Sequence, residues 1–135
     1  MAELQTHHAF VGRRILVVED EAIIALSIAD ILTDAGGVVI GPASSASEAL
    51  LLIENESVDC AVLDLHLGRE EDASRIADWL AQANVPFIFV TGYSEHRILS
   101  RHASRPVILK PYEQQEIVAA LTAMVQATKK GLANQ

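Results

Sequence analysis

Residues 14–21 read Arg-Ile-Leu-Val-Val-Glu-Asp-Glu, a short apolar run that ends in three consecutive acids. The run 15–18 is short and rich in β-branched residues, which predicts a strand. Large apolar residues then recur at helical spacing between Glu21 and Ala35, and Gly36-Gly37 follows them. This pattern predicts a helix that ends at the glycines. The chain therefore begins its fold as a strand followed by a helix.

The same alternation continues to the end of the chain. Further apolar runs lie at 38–40, 60–63, 87–90 and 107–109. Helical patterns separate or follow them at 45–53, 74–83, 95–103 and 117–125, and the pattern at 95–103 is the weakest. Ser45 and Glu48 form a capping box at the start of one helix. Continuous apolar strands separated by helices are typical of a parallel sheet buried on both faces, so we predict a doubly wound α/β fold with five strands.

The composition limits the classes of protein to which the chain can belong. The chain has 135 residues, half of them apolar, and a net charge of −8 from 10 basic and 18 acidic side chains. This length suits one domain, and the acidic charge argues against direct binding of nucleic acid or anionic membranes. No apolar run approaches the roughly 20 residues of a membrane span.

One cysteine, Cys60, is present in the sequence. A disulfide within the chain and a cysteine-based zinc site are therefore excluded, which fits a cytoplasmic protein. We expect Cys60 and Trp79 to be core or helix-packing residues.

Polar residues follow four of the five predicted strands. They are Glu19 and Asp20 after the first, Asp64 after the third, Thr91 and Gly92 after the fourth, and Lys110 after the fifth. Ligands of doubly wound sheets bind at the carboxyl ends of the strands, so we expect these side chains to converge. Crowded carboxylates recruit a cation, and an oxygen-rich site of this size suits Mg²⁺.

Lys110 and Thr91 would then bind an anionic group on Asp64, and Gly92 would leave room for it. A carboxylate can attack phosphorus, so the residues suggest phosphoryl transfer to an aspartate.

Four motifs carry a specific resemblance. They are Val17-Val18-Glu19-Asp20-Glu21, Ala61-Val62-Leu63-Asp64-Leu65, Val90-Thr91-Gly92 and Leu109-Lys110-Pro111. Together they resemble the receiver domain of two-component response regulators over residues 14–127, with an N-terminal extension at 1–13 and a C-terminal tail at 128–135. The resemblance implies a flavodoxin-like sheet of order 2-1-3-4-5 with five helices.

The resemblance also implies roles for the site residues. Asp64 would be the phosphoacceptor, while Thr91, Gly92 and Lys110 would bind the phosphoryl group. Mg²⁺, for which Mn²⁺ is the expected substitute, would be held by Glu19, Asp20, Asp64 and the backbone carbonyl of His66. Glu19 would act through a water molecule, and a cis Lys110-Pro111 bond would aim the lysine into the cleft.

Two positions depart from the usual receiver pattern. The aromatic switch residue expected three positions before the lysine is replaced by Val107, and Tyr93 is the candidate to substitute for it. Residues 89–93, Phe-Val-Thr-Gly-Tyr, resemble the Phe-x-Thr-Gly-Tyr subgroup of single-domain receivers linked to alphaproteobacterial general stress signalling. Gly68 follows the acceptor without the usual Met-Pro, which should alter only the loop.

Two charged stretches have open interpretations. Arg97, Arg101 and Arg105 recur every four residues, which fits either a solvated helix face or a partner-binding face. The acidic run 70–72 fits a solvated helix start, with kinase docking as the alternative.

The resemblance predicts a cytoplasmic, bacterial, single-domain response regulator, either a monomer or a weak homodimer. It would accept phosphate from a sensor histidine kinase or phosphotransfer protein and then signal through an unidentified protein partner or act as a phosphate sink. The alternative is a degenerate receiver that binds proteins without phosphorylation. A phosphohydrolase of the haloacid-dehalogenase type is disfavoured, because His66 stands where a second aspartate is needed. We therefore do not expect an enzyme that turns over a substrate.

Overall fold

A computed structural model describes residues 8–67, 73–92 and 102–133. Its strands are β1 (Arg14–Val18), β2 (Val38–Ala43), β3 (Cys60–Asp64), β4 (Phe87–Thr91) and β5 (Val107–Leu109). They form one parallel sheet of order β2-β1-β3-β4-β5, which confirms the predicted fold class and strand order.

The described residues contain four long helices. These are α1 (Ala22–Asp34), α2 (Ala46–Asn55), α3 (Ser74–Gln82) and α4 (Gln114–Ala133). The fifth predicted helix, at 95–103, falls almost entirely outside the described residues. Ser45 caps α2 as predicted, because the Glu48 amide donates to Ser45 Oγ at 3.2 Å. The other half of the predicted capping box differs, since the Glu48 carboxylate accepts from the Ser44 amide rather than from the Ser45 amide. No helix in the described part of the chain is long and apolar enough to cross a membrane.

Apolar side chains cover both faces of the sheet. One cluster packs beneath α2 and α3, and the other beneath α1 and α4. The three inner strands β1, β3 and β4 are almost wholly buried, as predicted. The same prediction was wrong for the edge strands, since Val38 of β2 is 46% exposed and Leu109 of β5 is 47% exposed. An edge strand has a neighbour on one side only, so fewer elements cover it.

Residues before β1 and at the end of α4 extend the described fold, and two residues expected in the core or between helices differ in exposure. Phe10 is buried in the cluster beneath α1, and its amide donates to the Ala35 carbonyl, so residues before β1 contribute to the core. Helix α4 continues past residue 127 as far as Ala133. Cys60 is buried as expected, whereas Trp79 on α3 is 42% exposed, which rules out the core and leaves the other expected position, between helices.

The sheet register aligns the ends of the strands that carry the polar residues. Asp64 pairs with Val90, and Thr91 pairs with Leu109, the residue before Lys110. The Lys110 amide donates to the Thr91 carbonyl at 2.8 Å, which extends the pairing by one residue. The carboxyl ends of β3, β4 and β5 therefore meet at one edge of the sheet.

Candidate functional site

Three carboxylates converge at the carboxyl edge of the sheet. Glu19 and Asp20 follow β1, and Asp64 ends the neighbouring strand β3. One carboxylate oxygen from each residue lies within 4.8 Å of the others. Glu19 and Asp64 are buried, whereas Asp20 is exposed at the mouth of the site. The structure thus brings together the acids that the sequence placed at the strand ends.

Backbone hydrogen bonds hold the two buried acids in place. Glu19 Oε2 accepts from the Glu21 amide, and Asp64 Oδ1 accepts from the His66 amide, each at 3.2 Å. The Glu19 amide donates to the Ala43 carbonyl at the end of β2. These bonds leave Glu19 Oε1 and Asp64 Oδ2 for other partners, and both of those oxygens face the lysine.

Lys110 reaches the acids from the end of β5, which lies on the other side of β4 from Asp64. The Lys110-Pro111 peptide bond is cis, as the resemblance implied. The lysine Nζ lies 2.7 Å from Glu19 Oε1 and 3.7 Å from Asp64 Oδ2. The ammonium is therefore shared between two acids, and its shorter contact is with Glu19.

The electrostatics show that one ammonium does not balance the cluster. Burial raises the pKa of Asp64 to about 8, and the neighbouring Glu19 adds to the rise, against the opposite effects of Lys110 and the His66 amide. The pKa of Lys110 is also raised: burial lowers it, but contacts with Glu19 and Asp64 outweigh burial. A divalent cation would relieve the remaining negative charge, and three carboxylates are ligands that suit Mg²⁺. The donor set therefore fits the implied metal.

Thr91 and Gly92 complete the site at the end of β4. Thr91 is fully buried, and Gly92 is exposed. A Cβ built on Gly92 would meet only the Lys110 Cδ, at 3.9 Å, which is an ordinary contact. The described neighbours alone therefore do not require a glycine at this position.

Val107 is half-buried and packs against the core cluster that contains Phe89. Tyr93, its predicted substitute, lies outside the described residues. So do Arg97, Arg101, Gly68 and the acidic run 70–72.

Arg105, the described member of the arginine series, does not stand on an open helix face. Its guanidinium lies 4.3 Å from the centre of the Phe87 ring. The side chain is half-buried, and burial lowers its pKa. The Phe87 ring thus supplies a contact within the domain for Arg105, and a partner-binding face at the arginine series stays a prediction.

His102 is a buried polar residue that the sequence did not single out. It is 3% exposed, and its Nε2 lies 2.7 Å from Asp78 Oδ1 on α3. Its ring packs edge-on against Phe87 of β4. It also borders a cavity of about 750 Å³ between α2 and α3, away from the acids. A single histidine near a weak helical pattern carries no signal that would have identified this contact.

Comparison with known proteins identifies the family that this sequence matches. Residues 15–122 match the family described as response regulator receiver domain. The chain belongs to that family. Receiver domains act in two-component phosphorelays, as signalling modules rather than substrate-turnover enzymes. They generally bind Mg²⁺ at an acidic pocket, and they interact with histidine kinases or phosphotransfer partners.

Individual relatives support the same assignment. The chain is 25% identical to the transcriptional regulatory protein PdtaR of Mycobacterium tuberculosis, across 87% of this receiver and 58% of PdtaR. It is 29% identical to the phyllosphere-induced regulator PhyR of Methylorubrum extorquens, across 84% of this receiver and 44% of PhyR. The receiver thus spans about half the length of the curated relatives it matches. The solution structure of SdrG from Sphingomonas melonis is 34% identical, with a TM-score of 0.74 and coverage of 87% of this receiver and 98% of SdrG.

Proposed function

We propose that this receiver accepts a phosphoryl group on Asp64 from the phosphohistidine of a sensor kinase or phosphotransfer protein. The observation that supports the proposal best is the position of Lys110 Nζ, 3.7 Å from Asp64 Oδ2, beside two further acids. A cation opposite a buried carboxylate is the arrangement that an aspartyl phosphate needs, because the product carries more negative charge than the carboxylate.

Each residue of the site has a part in the transfer. An oxygen of Asp64 attacks phosphorus, the bond from phosphorus to the donor imidazole nitrogen breaks, and that nitrogen keeps the electron pair and later takes up a proton. Lys110 moves from Glu19 toward the phosphoryl oxygens and neutralises them. The Thr91 hydroxyl donates a hydrogen bond to the same group. Burial of Asp64 and Thr91 keeps water away from the product.

Asp20, Asp64 and the His66 carbonyl would hold Mg²⁺, with Glu19 acting through water. When bound, the ion supplies positive charge to the phosphoryl oxygens during transfer. The acidic cluster supports this assignment.

For the output, we propose a single-domain regulator of the stress-signalling type. The Phe-Val-Thr-Gly-Tyr sequence at 89–93 and the similarity to the PhyR stress response regulator support a role in stress signalling. The similarity to SdrG, of which this receiver covers 98%, supports the single-domain form. Phosphorylation would change binding to a protein partner, or the receiver would draw phosphate from its kinase.

Intact mass spectrometry tests the phosphoacceptor directly. The protein is incubated with acetyl phosphate and Mg²⁺, and the variants Asp64→Asn and Asp59→Asn are treated in parallel. Asp59 is a matched control, because it lies beside the start of β3 and accepts a hydrogen bond from the Arg14 amide, away from the site. We expect wild type and Asp59→Asn to gain the mass of one phosphoryl group, and Asp64→Asn and a sample with EDTA to gain none.

A wild type that takes up neither phosphate nor beryllofluoride would contradict the proposal. That outcome would favour the degenerate receiver, whose partners bind the unmodified protein. Val107, in place of an aromatic switch residue, is the feature consistent with that second function.

A further inference from the structure

The peptide group between Ala43 and Ser44 joins the end of β2 to the acid Glu19. Its carbonyl oxygen accepts a hydrogen bond from the Glu19 amide at 2.9 Å. Its N–H, which is the Ser44 amide, donates to Glu48 Oε2 on α2, also at 2.9 Å. The Ser44 hydroxyl donates to the same carboxylate oxygen. One planar peptide group therefore lies between the Glu48 carboxylate and the backbone of Glu19.

The sheet ladder does not by itself fix this end of β2. Leu16 pairs with Ile40, and Val18 pairs with Ala43. The interval is two residues on β1 but three residues on β2, so β2 carries one extra residue in a bulge. A bulge interrupts the regular hydrogen bonds of a ladder, so the last carbonyl of β2 needs another contact to hold its direction. The contact with Glu48 supplies it.

Glu19 is the acid that Lys110 contacts most closely. Its carboxylate is buried, with Oε2 accepting from the Glu21 amide at 3.2 Å and Oε1 lying 2.7 Å from Lys110 Nζ. Hydrogen bonds weaken steeply when their geometry is distorted, so a shift of the Glu19 backbone would weaken at least one of these contacts. The direction of the Ala43 carbonyl therefore affects the side chain that meets the lysine.

The charge of Glu48 strengthens this connection. Hydrogen bonds from the Ser44 hydroxyl and the Ser44 amide lower the pKa of Glu48, so its carboxylate is ionised at neutral pH. A charged acceptor forms stronger hydrogen bonds than a neutral one. A peptide group whose N–H donates to such an acceptor is polarised, and its carbonyl becomes a better acceptor for the next donor in the chain. That donor is the Glu19 amide.

We propose that Glu48 is a positioning residue, which holds Glu19 in place through the peptide group between Ala43 and Ser44. Its carboxylate reaches one residue further back than a capping box requires, to the peptide group that contacts Glu19. The consequence for Mg²⁺ binding and phosphoryl transfer rests on the proposed function, whereas the effect on the Glu19 backbone does not.

Amide hydrogen exchange of the metal-free protein, followed by NMR, tests the position of Glu19 directly. The variants are Glu48→Ala, which removes the carboxylate, and Glu48→Gln, which keeps an acceptor oxygen. Ser45→Ala is the matched control, because it removes the side-chain cap of the same helix and leaves Glu48 and Ser44 unchanged. We expect the Glu19 amide to exchange about fivefold faster in Glu48→Ala than in the control, the size of one hydrogen bond, and about twofold faster in Glu48→Gln.

Two exchange results would overturn the role. Equal exchange of the Glu19 amide in Glu48→Ala and Ser45→Ala would show that Glu48 acts only on the stability of α2. Equal exchange in Glu48→Ala and Glu48→Gln would show that the charge of Glu48, rather than its hydrogen bonds to Ser44, affects Glu19.

Mg²⁺ affinity, measured by calorimetry, and the rate of phosphorylation by acetyl phosphate measure the consequence for the site. We expect Glu48→Ala to lose about threefold in each relative to Ser45→Ala, less than the roughly tenfold typical of a direct outer-shell partner of a metal ligand. If wild type is not phosphorylated, the proposed function fails, and the positioning role is judged from exchange and Mg²⁺ affinity alone. Unchanged Mg²⁺ affinity in Glu48→Ala would show that the hydrogen bonds are structural only and would overturn the role.

Discussion

Lys110 Nζ lies 2.7 Å from Glu19 Oε1 and 3.7 Å from Asp64 Oδ2, so the lysine is closer to the acid proposed to reach the metal through water than to the proposed phosphoacceptor. The ammonium neutralises part of the negative charge that a metal ion would otherwise balance. Metal binding and the Lys110–Glu19 ion pair are therefore expected to oppose each other, whereas the phosphoryl group should draw the lysine toward Asp64.

Replacing Lys110 separates these two effects. We expect Lys110→Ala to bind Mg²⁺ about threefold to tenfold more tightly, because an ammonium no longer competes for the Glu19 carboxylate. The same variant should be phosphorylated at least about tenfold more slowly, since the phosphoryl oxygens lose a fixed cation. Calorimetry with Mg²⁺ and phosphorylation by acetyl phosphate measure the two quantities. Weaker Mg²⁺ binding in the variant would contradict the competition.

Asp64 should make the metal-free protein less stable as the pH rises. Its pKa in the fold, about 8, lies above the ordinary value of 3.8. The folded state therefore holds this proton more tightly than the unfolded state, and stability is lost as the pH rises from about 4 through about 8. We expect Asp64→Asn to be more stable than wild type by about 2 kcal/mol or more at pH 8 without metal.

Urea unfolding at pH 5 and pH 8, with and without Mg²⁺, checks this dependence. The difference between wild type and Asp64→Asn should shrink at pH 5 and should also shrink when Mg²⁺ is present. A difference that is the same at both pH values would show that the carboxylate charge is not its source.

The Cys60 thiol should stay protonated far into the alkaline range. Burial raises its pKa from 9.0 to about 12, and the nearby Asp59 adds to the rise. The unfolded chain loses this proton first, so stability should fall as the pH rises above about 9. We expect the thiol of native protein to resist a disulfide reagent at pH 8 and to react at once in denaturant. Rapid reaction of the folded protein would refute the burial of Cys60.

The His102–Asp78 hydrogen bond should contribute measurably to stability. Asp78→Ala leaves the buried His102 Nε2 without its carboxylate, which is expected to cost about 1–3 kcal/mol. Arg75→Ala is the matched control, because Arg75 lies on the same helix and lines the same cavity but is exposed. The control should change the free energy of unfolding by less than about 0.5 kcal/mol. Equal effects of the two substitutions on urea unfolding would contradict the importance of this bond.

Two glycines with positive φ should differ in their tolerance of alanine. Gly41 has a φ of +98°, and a Cβ there would lie 2.7 Å from the Ala43 nitrogen and 3.1 Å from the Val17 oxygen. Gly12 has a φ of +79°, but no described atom lies within 4 Å of its Cβ position. We expect Gly12→Ala to cost about 1 kcal/mol from backbone strain and Gly41→Ala about 3 kcal/mol or more, because backbone atoms must also move. Thermal unfolding of both variants measures the difference, and equal melting temperatures would contradict the predicted clash.

The sequence by itself determined the fold class and the location of the site. Short β-branched runs separated by helical periodicity specify a parallel sheet, because only buried parallel strands are apolar on both faces. The polar residues that directly follow those runs then have to meet at one edge. The sequence alone therefore assigns Glu19, Asp20, Asp64 and Lys110 to one edge of the sheet.

The tertiary structure alone decided which of these residues contact one another. The pairing of Lys110 with Glu19, and of His102 with Asp78, joins residues far apart in the chain. Such contacts depend on strand register and on the paths of the connections, which local periodicity does not encode. The exposure of Trp79 also depends on the tertiary structure. Its apolar character predicts burial, but the sheet buries only those helix residues that face it.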